Sequence, residues 1–437
     1  MAPSRLAGIR LERKKDASLL NWNLKKLFTP KQINIPLRRD TAPCVEVGER
    51  VIAGQKIGEP GSPDGATVHA GLTGTVSRLA PPASREGGER GFITIQKDPD
   101  PKQNPMTWEI RKDWERIPTE ALCGIFKNSG LVTTEIAEEP IHAKVRKCLG
   151  TRTLIVNCCE PEPYVTCEQT LLLTHPLEVL KGAECLRKAF GAARLLFAFE
   201  SCDREIGELL KSKIFFLKWD HTEVRPVPAL YPQGTAALLS RNPSFLEKGA
   251  RPAGVLPAST AFAAYEAVAC QKPFYERIVT VGGECVVEPR SLWLPIGTTF
   301  RDALHACKGV MREPETVIMN GPMSGIAQTD LNVPVTAGTA AVLALPREIA
   351  RRGAEEPCVR CNLCADHCPA GIAPGRVTLA ADRGEFEQAR LFGVMRCVEC
   401  GNCGYVCPSQ RPMLEKIRKA KKRVEMSLKE KQGAAHD

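Results

Sequence analysis

Short apolar alternations punctuated by glycine begin at Ile33 and predict strands and tight turns. Val45-Glu46-Val47-Gly48 to Lys56-Ile57-Gly58 reads as two strands around a turn, and Val68-His69-Ala70-Gly71-Leu72-Thr73-Gly74-Thr75-Val76 as two more. The period changes over residues 105–250. Thr153-Leu154-Ile155-Val156-Asn157 and Arg194 to Glu200 are unbroken apolar runs, as expected of strands buried on both faces, whereas His175 to Phe190 and Asp203 to Lys213 have helical spacing. This alternation predicts a parallel α/β sheet. Ligands of such sheets gather beyond the carboxyl ends of the strands, so the loop after Val156 is the first place to look for a site. Residues 276–345 return to β texture, with one helical patch from Arg301 to Lys308, and predict a small α+β unit. Helical spacing reappears from Val377 to Phe392. Two amphipathic stretches flank the whole: Leu19 to Phe28, ending at Pro30, and the tail from Arg411, with a broken apolar stripe of Leu414, Ile417, Val424 and Leu428.

Length and composition narrow the class. A chain of 437 residues, 43% apolar and 25% charged, predicts several globular domains rather than disorder. No apolar run approaches the 18 or so residues of a spanning helix, and the front stretch is too broken by Asn and Lys for a cleavable signal. A cytoplasmic protein is expected, peripheral on the cytoplasmic face where it meets a membrane. The net charge of +10 sits at the ends: residues 1–40 carry ten Lys/Arg against three Asp/Glu and residues 411–437 nine against four, leaving the body slightly negative. With aromatics at 5% and no base-stacking pattern, nucleic acid is not an expected partner. The basic tail offers either a docking element for a membrane-embedded or acidic partner, or a solvated end.

The chemistry lies in the last fifth of the chain. Cys358, Cys361, Cys364 and Cys368, followed by Pro369, have the spacing C-x2-C-x2-C-x3-C-P, and Cys397, Cys400, Cys403 and Cys407, followed by Pro408, repeat it. This is the bacterial ferredoxin run for two [4Fe–4S] clusters, in which the fourth cysteine of each run ligates the other cluster. The expected sets are Cys358, Cys361, Cys364 and Cys407 for one cluster, and Cys397, Cys400, Cys403 and Cys368 for the other. A zinc site would show paired C-x2-C knuckles, and a disulfide framework does not fit a long chain with 19 cysteines and no signal.

The order of these parts resembles the RnfC family, part of the Rnf ion-translocating electron-transport complexes. The likeness is carried by Val47-Gly48 to Gly58, His69 to Val76, Asn157 to Thr166, Tyr231-Pro232-Gln233-Gly234, Val279 to Thr298, Asn320-Gly321-Pro322-Met323-Ser324-Gly325, Pro334 to Pro346 and both cysteine runs. It implies a basic segment at 1–32, a lipoyl-like barrel-sandwich hybrid at 33–100 and a Rossmann-like α/β domain at 105–252, related to the flavin subunit of complex I. It further implies a β-grasp (SLBB) domain at 253–346, an α-helical ferredoxin-type two-cluster domain at 350–410 and a basic tail at 411–437. The attachment site of lipoyl carriers is absent from the barrel, where Gly71-Leu72-Thr73-Gly74 stands at the hairpin.

The resemblance also implies flavin mononucleotide on a glycine-rich loop. The matching stretch here is Thr133-Thr134-Glu135-Ile136-Ala137-Glu138-Glu139-Pro140-Ile141-His142-Ala143-Lys144, with every glycine replaced and two carboxylates where a phosphate would lie. Lys144, Glu160 and Glu162 match the residual flavin and nucleotide site. Cys158 and Cys159, just before the acids, read either as reactive thiols in a remodelled pocket or as ordinary reduced cysteines. No catalytic residue is assigned. Three functions follow: a subunit relaying single electrons within a larger oxidoreductase complex, between a redox donor or acceptor and other subunits; a flavin-containing NADH dehydrogenase subunit or soluble NADH-dependent cobalamin reductase; and an adaptor whose clusters are structural.

Overall fold

The computed structural model describes residues 8–19, 24, 28–38, 40–80, 91–99, 108–245, 254–350 and 353–433. Most of the front stretch Leu19 to Phe28 lies outside them. The described part holds a short helix, Asp16–Leu19, and a backbone bridge from Ile9 to Tyr231.

The glycine-punctuated segment folds as two small antiparallel sheets. One has the order Gln32–Pro36, Phe92–Lys97, Gly74–Ala80, Arg50–Val51; the other runs Thr41–Pro43, Lys56–Pro60, Val68–His69. Strict alternation in Gln32–Pro36 sends Ile33 and Ile35 inward, where they meet Val51, Ile57, Val76, Ile93 and Ile95.

The apolar runs of the middle domain form a parallel sheet in the order Thr222–Val227, Arg194–Glu200, Thr153–Asn157, Gly254–Pro257. Its central strands are buried on both faces, as their uninterrupted apolar character requires. Helices Pro176–Phe190 and Ala258–Ala269 pack against each other in the main core. The next unit is a five-stranded mixed sheet, Arg290–Pro295, Glu276–Gly282, Ala341–Leu345, Thr316–Met319, Ile326–Gln328, with one helix, Phe300–Ala306, capped by Thr299 Oγ1 accepting from the Asp302 amide at 3.1 Å.

The cysteine-rich segment differs from expectation in two ways. Val377 to Phe392 is two helices, Pro374–Asp382 and Phe386–Leu391, because Gly384 adopts φ 75° between them. The basic tail is one helix, Met413–Gly433, and its apolar stripe is already covered. Met413, Ile417, Ala420 and Val424 pack on Val377, Ala380, Ala389 and Val394, with only Leu428 of the predicted stripe exposed. The stripe that was expected to dock on a partner therefore docks on the chain's own cysteine domain. Among the described residues no helix is long and apolar enough to cross a membrane.

Candidate functional site

Each cysteine run wraps through left-handed backbone at matching places: Arg360 and Asn362 flank the second cysteine of the first run, and Glu399 and Gly401 flank that of the second, all at φ between 55° and 80°. The wrapping turns backbone amides toward sulfur, as in the 3.4 Å contact from the Glu399 amide to Cys397 Sγ. Cys358, Cys361, Cys364 and Cys407 line one cavity of about 420 Å³, rimmed by Arg360, Arg376 and Arg411. Cys407 belongs to the second run, yet it sits with the first three. Cys397, Cys400 and Cys403 gather at a more buried place with Cys368. Burial pushes the Cys403 thiol up to about 12, and the thiols of Cys400, Cys397 and Cys368 add to that rise. Four converging thiols, set at each of two places by inward-turned loops, fit a [4Fe–4S] cluster.

The surroundings of the two sets differ. Cys361 is exposed, whereas Cys400 and Cys403 are buried. Lys421 Nζ donates to the Cys397 carbonyl at 3.1 Å, and Tyr231 Oη donates to the Cys400 carbonyl at 2.7 Å. Tyr231 comes from the α/β domain, and its hydroxyl also lies 3.0 Å from Glu162 Oε1, so the second set lies against that domain.

The loop that matches a flavin-phosphate cradle is braced by hydrogen bonds within the protein, and two cavities border it, one at Ile136 and Glu138 and one at Ala137 and Glu139. The Thr133 amide donates to the Glu139 carbonyl at 2.8 Å, the Glu139 amide to Thr133 Oγ1 at 3.0 Å, the Glu138 amide to the Glu135 carbonyl at 2.9 Å and the Thr134 amide to Thr260 Oγ1 at 3.0 Å. Four amides of the loop, at its two ends, thus have internal acceptors. Glu138 Oε1 accepts from the Gly338 amide at 3.0 Å, anchoring the loop to the β-grasp unit. Gly338 is needed there, since a Cβ would fall 2.7 Å from the Glu135 carbonyl oxygen. Burial pushes the Glu135 carboxyl up, against the opposing charge of Lys144. A buried arginine missed by sequence reasoning, Arg277, donates to the carbonyls of Thr134 and Ala337 beneath the loop. It was missed because an isolated Arg in a strand carries no pattern.

The three residues expected at a flavin or nucleotide site have separate partners, and no hydrogen bond or ion pair joins them among the described residues. Lys144 pairs with Glu139 at 3.4 Å. Glu160 accepts from the amides of Glu168 at 2.8 Å and Gln169 at 2.9 Å, closing the first turn of helix Cys167–Thr174, where a carboxylate also complements the helix dipole. Glu162 reaches across to the β-grasp loop, accepting from the amides of Met323 at 3.0 Å and Ser324 at 2.9 Å. Burial pushes its carboxyl up, against hydrogen bonds from Ser324, Met323 and Tyr231. Cys158 and Cys159 are buried, and desolvation holds both thiols well above the ordinary range. In the fold both are packed as buried thiols, Cys158 in the main core and Cys159 beside Ile155 and Leu196.

One titration follows from this packing. Burial, then the Glu160 charge, push Glu168 up to about 7, against hydrogen bonds from Ser259. Its folded pKa thus lies above the unfolded value of about 4.3, so the folded chain holds the extra proton between the two. The resulting stability is complete below about pH 4.3 and is lost as pH rises through about 7, a change of roughly 4 kcal/mol. Denaturation of the chain and of Glu168→Gln at about pH 5 and about pH 8 should show the slope in the former and not in the latter.

Comparison with known proteins agrees with the architecture. Residues 5–100 match the RnfC barrel sandwich hybrid domain, 126–269 the Nuo51 FMN-binding domain, 278–327 the SLBB domain and 352–408 a 4Fe-4S dicluster domain. The fold and the two thiol sets define an iron–sulfur electron-transfer subunit of an oxidoreductase complex. The chain is 30% identical to the C subunit of the ion-translocating oxidoreductase complex of Rhodobacter capsulatus, covering 93% of this chain and 80% of that one. It therefore belongs to the RnfC family of ion-translocating oxidoreductase complexes. It is 28% identical to the C subunit of the proton-translocating ferredoxin:NAD(+) oxidoreductase complex of Clostridium ljungdahlii, over 83% of this chain and 81% of that one. It is 31% identical to the corresponding ion-translocating oxidoreductase component of Erwinia tasmaniensis over 85% of this chain, and spans about half of that longer relative, 47%.

Proposed function

We propose that this chain relays single electrons through two [4Fe–4S] clusters to or from other subunits of its complex, without a resident flavin. Cys358, Cys361, Cys364 and Cys407 hold one cluster, and Cys397, Cys400, Cys403 and Cys368 the other. When bound, the clusters supply one-electron transfer and accept no hydride. The rest of the chain positions them. The exposed Cys361 loop brings one thiol set to the surface, where a redox partner can approach. The packing of Ile9, Tyr231 and Cys400 keeps water from the other set. In this reading the chain works docked on membrane-embedded subunits, on the cytoplasmic face, a placement supported by relatives named as parts of ion-translocating complexes.

The observation that carries the flavin-free reading is the internal pairing of the amides at Thr133, Thr134, Glu138 and Glu139. Those four amides are withheld from a phosphate, which would also sit beside Glu135 and Glu138. Two like charges at about 4 Å cost roughly 1 to 4 kcal/mol between bulk-water and near-surface dielectrics. Anaerobic purification with iron, sulfide and flavin quantified on one sample should give about eight irons and no flavin, and the isolated chain should not reduce its clusters with NADH. One flavin per chain, with NADH-dependent bleaching, would establish the dehydrogenase reading instead.

A further inference from the structure

We infer that Tyr231 is a positioning residue for electron transfer, its hydroxyl setting the potential of the cluster held by Cys397, Cys400, Cys403 and Cys368. This rests on the ligand assignment proposed above. Tyr231 is 3% exposed and fixed from several sides. Its backbone pairs in both directions with Ile9, at 2.9 Å each way. Its ring packs with Ile9 and Cys400, and Met323, Val398 and Val406 close the same cluster. The hydroxyl has one proton and two acceptors within reach, the Cys400 carbonyl at 2.7 Å and Glu162 Oε1 at 3.0 Å. The shorter contact is to the ligand cysteine.

Adding an electron to a cluster makes a buried region more negative. A fixed O–H dipole with its positive end on the peptide of a ligand cysteine favours that state, and low dielectric magnifies the effect. Lys421 on the Cys397 carbonyl acts in the same sense on a neighbouring ligand. The other thiol set lines a separate cavity to which Tyr231 does not contribute. The consequence concerns the α/β domain as a whole. Four amides of its phosphate loop are internally paired, yet through Tyr231 it keeps electrostatic control over the nearer cluster.

The test is Tyr231→Phe in the full chain, purified anaerobically and titrated potentiometrically with each cluster followed by electron paramagnetic resonance. The phenylalanine keeps the ring packing and removes only the donor. Iron content should stay at about eight, one midpoint should fall by an amount equivalent to about tenfold in the reduction equilibrium, about 59 mV for one electron, and the other should stay in place. Replacing Tyr231 by fluorotyrosine, whose more acidic hydroxyl is a stronger donor, should move the same midpoint upward, and this second variant decides the matter if the phenylalanine chain loses iron. Two unmoved midpoints, or two that move together, overturn the inference. About four irons in the unsubstituted chain overturn the ligand assignment, and the inference with it, whereas eight irons with an unmoved midpoint overturn the inference alone.

Discussion

Cys368→Ala should remove the cluster of the second cysteine run and leave that of the first. The iron content is expected to fall from about eight to about four, with the surviving signal belonging to the set of Cys358, Cys361, Cys364 and Cys407. Cys407→Ala should do the mirror image. Local pairing, with each run serving its own cluster, predicts the opposite assignment, so spectra of the two variants separate the alternatives. The reason lies in the chain path. After Cys364 the short helix Leu363–Asp366 and then Pro369 carry the backbone away from the first cavity. Cys368 does not line that cavity, and Cys407 does. The charge of a Cys368 thiolate is instead felt at Cys397, Cys400 and Cys403. Each substitution therefore removes a ligand contributed from a distance.

The gathering of Cys407 with Cys358, Cys361 and Cys364 was legible in the sequence because thiolate spacing is a short-range constraint: a C-x2-C-x2-C run can present three sulfurs to one cluster and leaves the fourth pointing elsewhere. The parallel sheet was legible for a similar reason, since unbroken apolar runs such as Leu154-Ile155-Val156 require burial on both faces. What local pattern did not contain was the partner of each polar loop residue. Glu138 lies 200 positions from Gly338, and Glu162 lies 162 positions from Ser324. Matched against a nucleotide site, Glu160 and Glu162 read as ligand-facing acids; in the fold one closes a helix and the other holds two domains together. The tail misled in the same way. A basic helix with an apolar stripe has the same sequence whether the stripe faces another subunit or Val377 and Ala380 of its own chain. Arg418 and Lys421 gave no signal either, yet both bond Glu399 beside the second cysteine set.

Glu162→Ala is expected to act on stability rather than on nucleotide affinity. The carboxylate accepts from the amides of Met323 and Ser324 and from Ser324 Oγ at 2.5 Å, and Tyr231 Oη lies 3.0 Å from it. Removal leaves these groups without that acceptor in a half-buried place, and loss of one partner from such a network costs about 3 to 5 kcal/mol. The loop around it has no slack. Gly321 lies so close that a Cβ there would fall 2.2 Å from Glu162 Oε2, so the β-grasp loop is fitted to this side chain. Thermal unfolding of the anaerobic protein should shift down by several degrees, and loss of the second cluster's signal should accompany the first transition, because Tyr231 and Cys400 belong to the same contact. Glu162→Gln retains the shape and one acceptor oxygen but turns an amine toward a donor, so it should cost less, about 1 to 3 kcal/mol. A nucleotide-binding role predicts a different ordering: both variants would unfold as the parent does, and they would differ only in NADH affinity. A graded loss of stability from Glu to Gln to Ala, with the second cluster released at the same step, is the outcome that a carboxylate joining the α/β, β-grasp and cysteine domains requires.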